Sequence, residues 1–147
     1  MATRHIAFGW LSSFDGQAVG TTNVLPLRCR INSGKASRIL TLVNGVAVNL
    51  DGTSGSLVRY PVEQELEVLI RGSSVASGSA VDDYLGNFAT RIGKQGTLQL
   101  HTPGVRRYTA PAVLDSIEIV DEGMMEDDKK INWCIARLTF QQMEAWQ

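Results

Sequence analysis

Residues able to do chemistry are sparse in this 147-residue chain, and few stand at a spacing that chemistry requires. Gly34-Lys35 has the ending of a phosphate-binding loop. That motif places a glycine five positions before the second one and Ser or Thr after the lysine, where this chain has Cys29 and Ala36. The run Gly72-Ser-Ser-Val-Ala-Ser77-Gly78 is rich in hydroxyls but lacks Gly-x-Ser-x-Gly, the turn that exposes a serine nucleophile. A general base would have to be His5 or His101, each standing alone beside a strand end. A hydrolase built on His101 and Asp115 is the enzymatic reading these residues leave. Cys29 and Cys134 lie far apart on apolar segments and read as small core residues rather than as a disulfide or part of a zinc site. No catalytic, cofactor or metal residue is assigned.

Other candidates point to surfaces. Glu63, Glu65 and Glu67 recur every second residue, so a strand carries all three on one face. That face is either a solubilising surface or an acidic wall facing a channel. Arg106-Arg107-Tyr108 joins basic and aromatic residues but is too short for a nucleic-acid groove. Met124 and Met125, within an acidic run, and Trp146, one residue from the end, either fold onto their own domain or contact another chain. Asn44, Gly45 and Val46, at the tip of an apolar hairpin, are the remaining interface candidates.

The elements that must position these residues are mostly strands. Residues 5–12 alternate, with Ile6, Phe8 and Trp10 on one face, and Asp15-Gly16 turns the chain. Leu25, Leu27, Cys29 and Ile31 share a face opposite Arg28 and Arg30, and Pro26 marks an edge strand or a bulge. Residues 38–50 form a long hairpin around Asn44-Gly45, two residues that tolerate positive φ. Residues 62–71 alternate strictly. Residues 79–94 place Val81, Tyr84, Leu85, Phe88 and Ile92 at three- and four-residue steps, the pattern of an amphipathic helix. Ser79 and Asp82 cap its start, Asp82 and Asp83 lie near its N-terminus, and Arg91 and Lys94 occupy its last turn. Strands follow at Gly96 to Leu100, after the Pro103-Gly104 turn, and at Ala112 to Val120. Residues 121–128 form an acidic loop, and the last strand spans residues 131–142. Its apolar parity changes between Trp133 with Ile135 and Leu138 with Phe140, which predicts a bulge near Ala136. The expected fold is mainly β, an antiparallel β-sandwich or barrel flanked by one α-helix, in a single domain spanning residues 1–147.

Composition sets limits. No apolar run approaches the roughly 20 residues of a membrane span, and the N-terminus lacks a signal-peptide pattern, so a cytoplasmic chain without a membrane partner is expected. The net charge of −1 hides a segregation. Residues 1–60 hold six basic and two acidic residues, whereas residues 61–147 hold eight basic and thirteen acidic ones. A protomer with oppositely charged ends can meet its own copies, positive to negative.

Within this order, Leu66-Glu-Val-Leu-Ile-Arg-Gly72, Tyr84-Leu-Gly-Asn-Phe-Ala-Thr-Arg-Ile-Gly-Lys-Gln-Gly-Thr-Leu98 and Ala136-Arg-Leu-Thr-Phe-Gln-Gln142 carry a resemblance. The pattern of strand, Ser/Gly loop, capped helix and long strands resembles the tail-tube fold of bacteriophages. It is most like the tube-forming domain of a distal tail (baseplate) protein. The resemblance implies a virion structural protein assembled in the host cytoplasm, with no enzymatic site and no cofactor. Its implied partners are copies of itself in a hexameric ring and other phage tail or baseplate proteins. DNA would pass through the ring without specific binding, along a lumen wall of Glu63, Glu65 and Glu67. Distal tail protein, tube subunit and minor tail ring all fit it. The competing expectation is a stand-alone β-sandwich module that binds carbohydrate or peptide by stacking on Trp10, Tyr108 or Trp146.

Overall fold

The computed structural model describes residues 8–21, 24–32, 39–41, 43–45, 47–49, 60–71, 78–124 and 131–147. Its seven-stranded sheet is built from β1 (Trp10–Phe14), β2 (Gln17–Ala18), β3 (Val24–Arg30), β6 (Val62–Arg71), β7 (Gln95–His101), β8 (Arg107–Met124) and β9 (Ile131–Gln142). The order is β2-β1-β7-β8-β9-β6-β3, antiparallel at every pairing. The sheet curls into a half-barrel, and the single helix among the described residues, α1 (Gly78–Ala89), packs against β9 and β6. The chain is therefore mainly β with one helix, as its periodicities predict. A separate two-stranded sheet pairs β4 (Ile39–Thr41) with β5 (Ala47–Asn49), which gives the expected hairpin.

Alternation builds the core. Val62, Gln64, Leu66, Val68 and Ile70 of β6 are buried and the residues between them are not. Cys134, Ala136, Leu138 and Phe140 of β9 join them, with Leu98 and Leu100 of β7 and Leu11 and Phe14 of β1. Phe14 and Phe140 meet with ring centroids 5.1 Å apart. From the helix, Val81, Tyr84 and Phe88 enter this core and Leu85 packs at its margin. Each fully buried aliphatic or aromatic side chain contributes about 1.5–3 kcal/mol.

Several local expectations are corrected. The helix ends at Ala89, before Ile92, which is 44% exposed and forms a parallel bridge with Leu114. Gly93, at φ +81°, supplies the positive-φ turn and donates its N–H to the Leu114 carbonyl. With these bounds the first turn holds no acid and Arg91 lies just beyond the last turn, yet its Nη1 still donates to the Asn87 carbonyl at that end, so the expected pairing is kept at the C-terminus and not at the N-terminus. Ser79 stands inside the helix rather than before it. At the start of the chain, Phe8 and Trp10 are exposed, and the buried residues are Leu11 and Phe14, on either side of a register shift between Leu11 and Ser13. His5 and Ile6 lie outside the described residues. The Asp15-Gly16 turn forms as expected, both residues at positive φ.

Bulges account for the other differences. In β3 the register shifts between Pro26 and Arg28, which leaves Leu25 and Leu27 exposed while Cys29 turns inward. The bulge predicted near Ala136 is absent, since β9 pairs with β6 without a shift from Trp133 to Gln142. The irregularities lie opposite, in β8, between Leu114 and Ser116, Ile119 and Asp121, and Gly123 and Met124. Trp133 and Ile135 are simply outward residues. Trp133 has room because Gly123 stands across the ladder, where a Cβ would intrude into the indole. β8 is one long strand that reaches Met124, so the acidic segment begins as strand rather than loop.

Candidate functional site

Across β3, β6, β9 and β8 the outward positions form rows. Arg28 stands opposite Glu67, Glu67 opposite Arg137, and Arg137 opposite Glu118. One level along, Arg30, Glu65, Thr139 and Ser116 form the next row. On the other side of the charged row stand Leu25, Leu69, Ile135 and Asp121. Cross-strand pairs of opposite charge on one face each stabilise a sheet by about 0.2–1 kcal/mol.

Arg137 is the hub of the first row. Its Nη2 donates to Glu67 Oε1 at 2.7 Å and its Nε to the same oxygen at 3.1 Å, while Nη1 donates to Glu118 Oε2 at 3.1 Å. The hydrogen bond to Glu67, followed by the charges of Glu67, Glu118 and Glu65, pushes the guanidinium above its ordinary value and keeps it charged. Arg30 reaches Glu65 at 3.8 Å. No ion pair forms at Arg28 among the described residues. A shallow cleft of about 140 Å³ lies between Arg28, Arg30, Glu65, Glu67 and Arg137. Its two carboxylates are each held by an arginine rather than by each other, so it offers no acid–base pair.

The surface expected to be acidic is therefore of mixed charge. Glu63, Glu65 and Glu67 do share the outer face, but β3 and β9 bring arginines beside Glu65 and Glu67, and Gln141 donates to Glu63 at 3.5 Å. Their own strand shows only acids at these positions. The pairing partners were legible only as wet-face arginines, because strand order is not written in local periodicity.

The remaining candidates separate. Asn44 and Gly45 sit exposed between β4 and β5, with Gly45 at φ +83°. Val46 and Met125 lie outside the described residues, and Met124 is the last residue of β8. Trp146 is only 1% exposed and belongs to the core of its own chain, which corrects its reading as an interface anchor. Thr109 and Gln147 hold the tail by two reciprocal backbone hydrogen bonds of 2.9 Å.

The reactive groups stay apart. His101 lies beside Trp10, ring centroids 5.7 Å apart, and pairs across the ladder with Arg107. Asp115 follows Arg107 on the same strand by eight residues, about 26 Å at strand rise, too far for a His101–Asp115 dyad. Burial pushes both thiols up, so Cys29 and Cys134 keep their protons near neutral pH. Among the described residues no group of three or more His, Cys, Asp or Glu could hold a metal ion, and no helix is long and apolar enough to cross a membrane.

Sequence reasoning missed a buried polar cluster. Gln64, fully buried, donates Nε2 to the Asn32 carbonyl at 2.7 Å and to Gln142 Oε1 at 2.8 Å, while its Oε1 accepts the Asn32 N–H at 2.7 Å. Gln142 in turn donates to the Glu144 carbonyl. A glutamine at an inward position of an otherwise apolar strand was the available signal.

No protein-family model, curated protein or solved structure matches this chain.

Proposed function

We propose that this chain is a structural ring subunit of a phage tail or baseplate, of the distal-tail or tail-tube type, and that it works by assembly rather than catalysis. The observation that carries this reading is the curled sheet whose end strands have no further strand partner among the described residues. Unpaired sheet edges invite another chain, and identical chains that meet head to tail through such edges form rings when the rotation closes. The charge rows add support. A face on which most carboxylates and guanidiniums already satisfy one another holds few free cations for phosphates, which suits a wall that DNA passes.

Light scattering after size exclusion, with electron microscopy of the same fraction, tests the proposal. A closed particle of several copies is expected, sixfold in projection. A strictly monomeric species at high concentration, with no rings or tubes, overturns it. The binding-module alternative now rests on Trp10, which is 40% exposed beside His101. Loss of binding to a glycan or peptide array on Trp10→Ala, at unchanged oligomeric state, would favour that reading.

A further inference from the structure

Only part of β8 has two neighbours. β7 pairs with it through Val113, and beyond that point β9 is its one strand partner among the described residues. Over residues 116–122 the sheet is therefore four strands wide, with β8 at one edge and β3 at the other. The registers set the two edges level with each other: Glu122 with Val24, Asp121 with Leu25, Glu118 with Arg28, and Ser116 with Arg30.

These edges are opposite in charge and alike in apolar content. At β3, Leu25 is 59% and Leu27 47% exposed, Arg28 and Arg30 are exposed, and no acid interrupts them. At β8, Glu118, Asp121 and Glu122 are exposed beside Ile119 and Val120, with no base among them. Neither Asp121 nor Glu122 forms an ion pair among the described residues. Strand direction agrees as well. Since β3, β6, β9 and β8 alternate, the β8 of a second copy set beside β3 runs antiparallel to it. The row Arg28, Glu67, Arg137, Glu118 would then continue into the Arg28 of the next copy without placing like charges together.

From this complementarity we propose that β3 of one copy docks on the outer half of β8 of the next. On the outer face Arg28 and Arg30 meet Glu118 and Asp121, and Leu25 and Leu27 cover Val120, whereas Ile119 and Glu122 stand level with the inward Ala136 and Cys134 and stay outside the contact. The contact is made by side chains rather than by an unbroken ladder. Pro26 offers no N–H, and the register shifts in both strands interrupt regular pairing. β1 lies under the inner side of β3, where the Leu11 N–H donates to Cys29 Sγ at 3.4 Å, so the second copy approaches from the outer side. Because each copy uses two different surfaces, the contact is heterologous and repeats around a ring. It rests on the ring reading given above.

Charge reversal in the full chain tests the pairing. Arg28→Glu with Arg30→Glu makes the β3 edge acidic, and Asp121→Lys puts a base on the outer face of the β8 edge. Each variant alone should need a concentration higher by about tenfold or more to assemble. An equimolar mixture should recover assembly, because each reversed edge then finds its complement and an alternating ring closes with an even number of copies. Circular dichroism and melting check folding. Where a reversed variant melts early, Arg28→Gln and Asp121→Asn replace it, with a smaller loss expected. Wild-type assembly with no loss in either variant overturns this pairing and leaves the ring standing. So does loss without recovery in the mixture. A wild-type chain that never assembles overturns the ring reading and this contact together.

Discussion

Tyr84 does two things from one position on α1. Its ring lies 6% exposed against Phe88, centroids 4.9 Å apart, and its hydroxyl donates to the Val19 carbonyl at 2.9 Å. The helix is thereby tied to the segment after β2, far from it in sequence. Burial, with a smaller contribution from Cys134, pushes the phenol above its ordinary value of 10.0. Between that value and the higher folded one, the unfolded chain sheds a proton that the folded chain keeps. The stabilisation is complete below pH 10.0 and is lost as pH rises toward the folded value. In Tyr84→Phe the melting temperature should fall near neutral pH, by the equivalent of about 1–2 kcal/mol for an unpaired buried carbonyl. Above pH 10.0 its stability should decline less steeply than that of the wild type. Parallel slopes in denaturant titrations at pH 8 and at alkaline pH would remove Tyr84 from that role.

At the scale of elements, the buried glutamine cluster shows how strands are fastened at their ends. Gln64 bonds the residues that follow β3 and the last residue of β9 from within β6. Gln64→Leu keeps the volume and takes from Gln142 Oε1 the donor it has in Gln64 Nε2, while Gln142 Nε2 still bonds the Glu144 carbonyl. One buried acceptor without its donor should cost about 1–3 kcal/mol, read as a lower urea midpoint at unchanged slope. A loss under about 0.5 kcal/mol would mean that water replaces the missing bonds. Gln64 also marks how far the sequence was readable. The two-residue period of β6, the helical face of Val81, Tyr84 and Phe88, the Asp15-Gly16 turn and the edge role of Pro26 all follow from local rules and are present. The β9 parity was misread because an outward Trp133 looks like a core residue until Gly123 is placed opposite it. Likewise, Ile92 fits the helical step but is claimed by Leu114. These errors share a cause: the deciding partner lies on another strand. The outer-face site was legible only in part for the same reason, since Glu63, Glu65 and Glu67 could be read as a face while Arg30 and Arg137 could not be read as its neighbours.

For the whole molecule, the segregation of charge along the chain becomes a segregation across the sheet. The surplus of basic residues in the first 60 residues includes Arg28 and Arg30 on β3, and the later acidic surplus includes Glu118, Asp121 and Glu122 on β8. Between those edges, Arg137 is already satisfied by Glu67 and Glu118, so the central rows have little charge left to attract a partner. The two edges dominate what a second copy meets. Exposed charges lose their reach as the screening length falls from about 10 Å at 0.1 M salt to about 3 Å at 1 M. Contacts among Leu25, Leu27 and Val120 keep theirs, because apolar burial does not depend on screening. Assembly of the wild-type chain should therefore weaken as sodium chloride rises from 50 mM to 500 mM, yet persist at high protein concentration. The chain with Arg28→Glu and Arg30→Glu should respond in the opposite direction, because salt screens the repulsion that those substitutions introduce. Sedimentation velocity across the salt series reads both slopes. Equal slopes for the two chains would assign the association to some other surface.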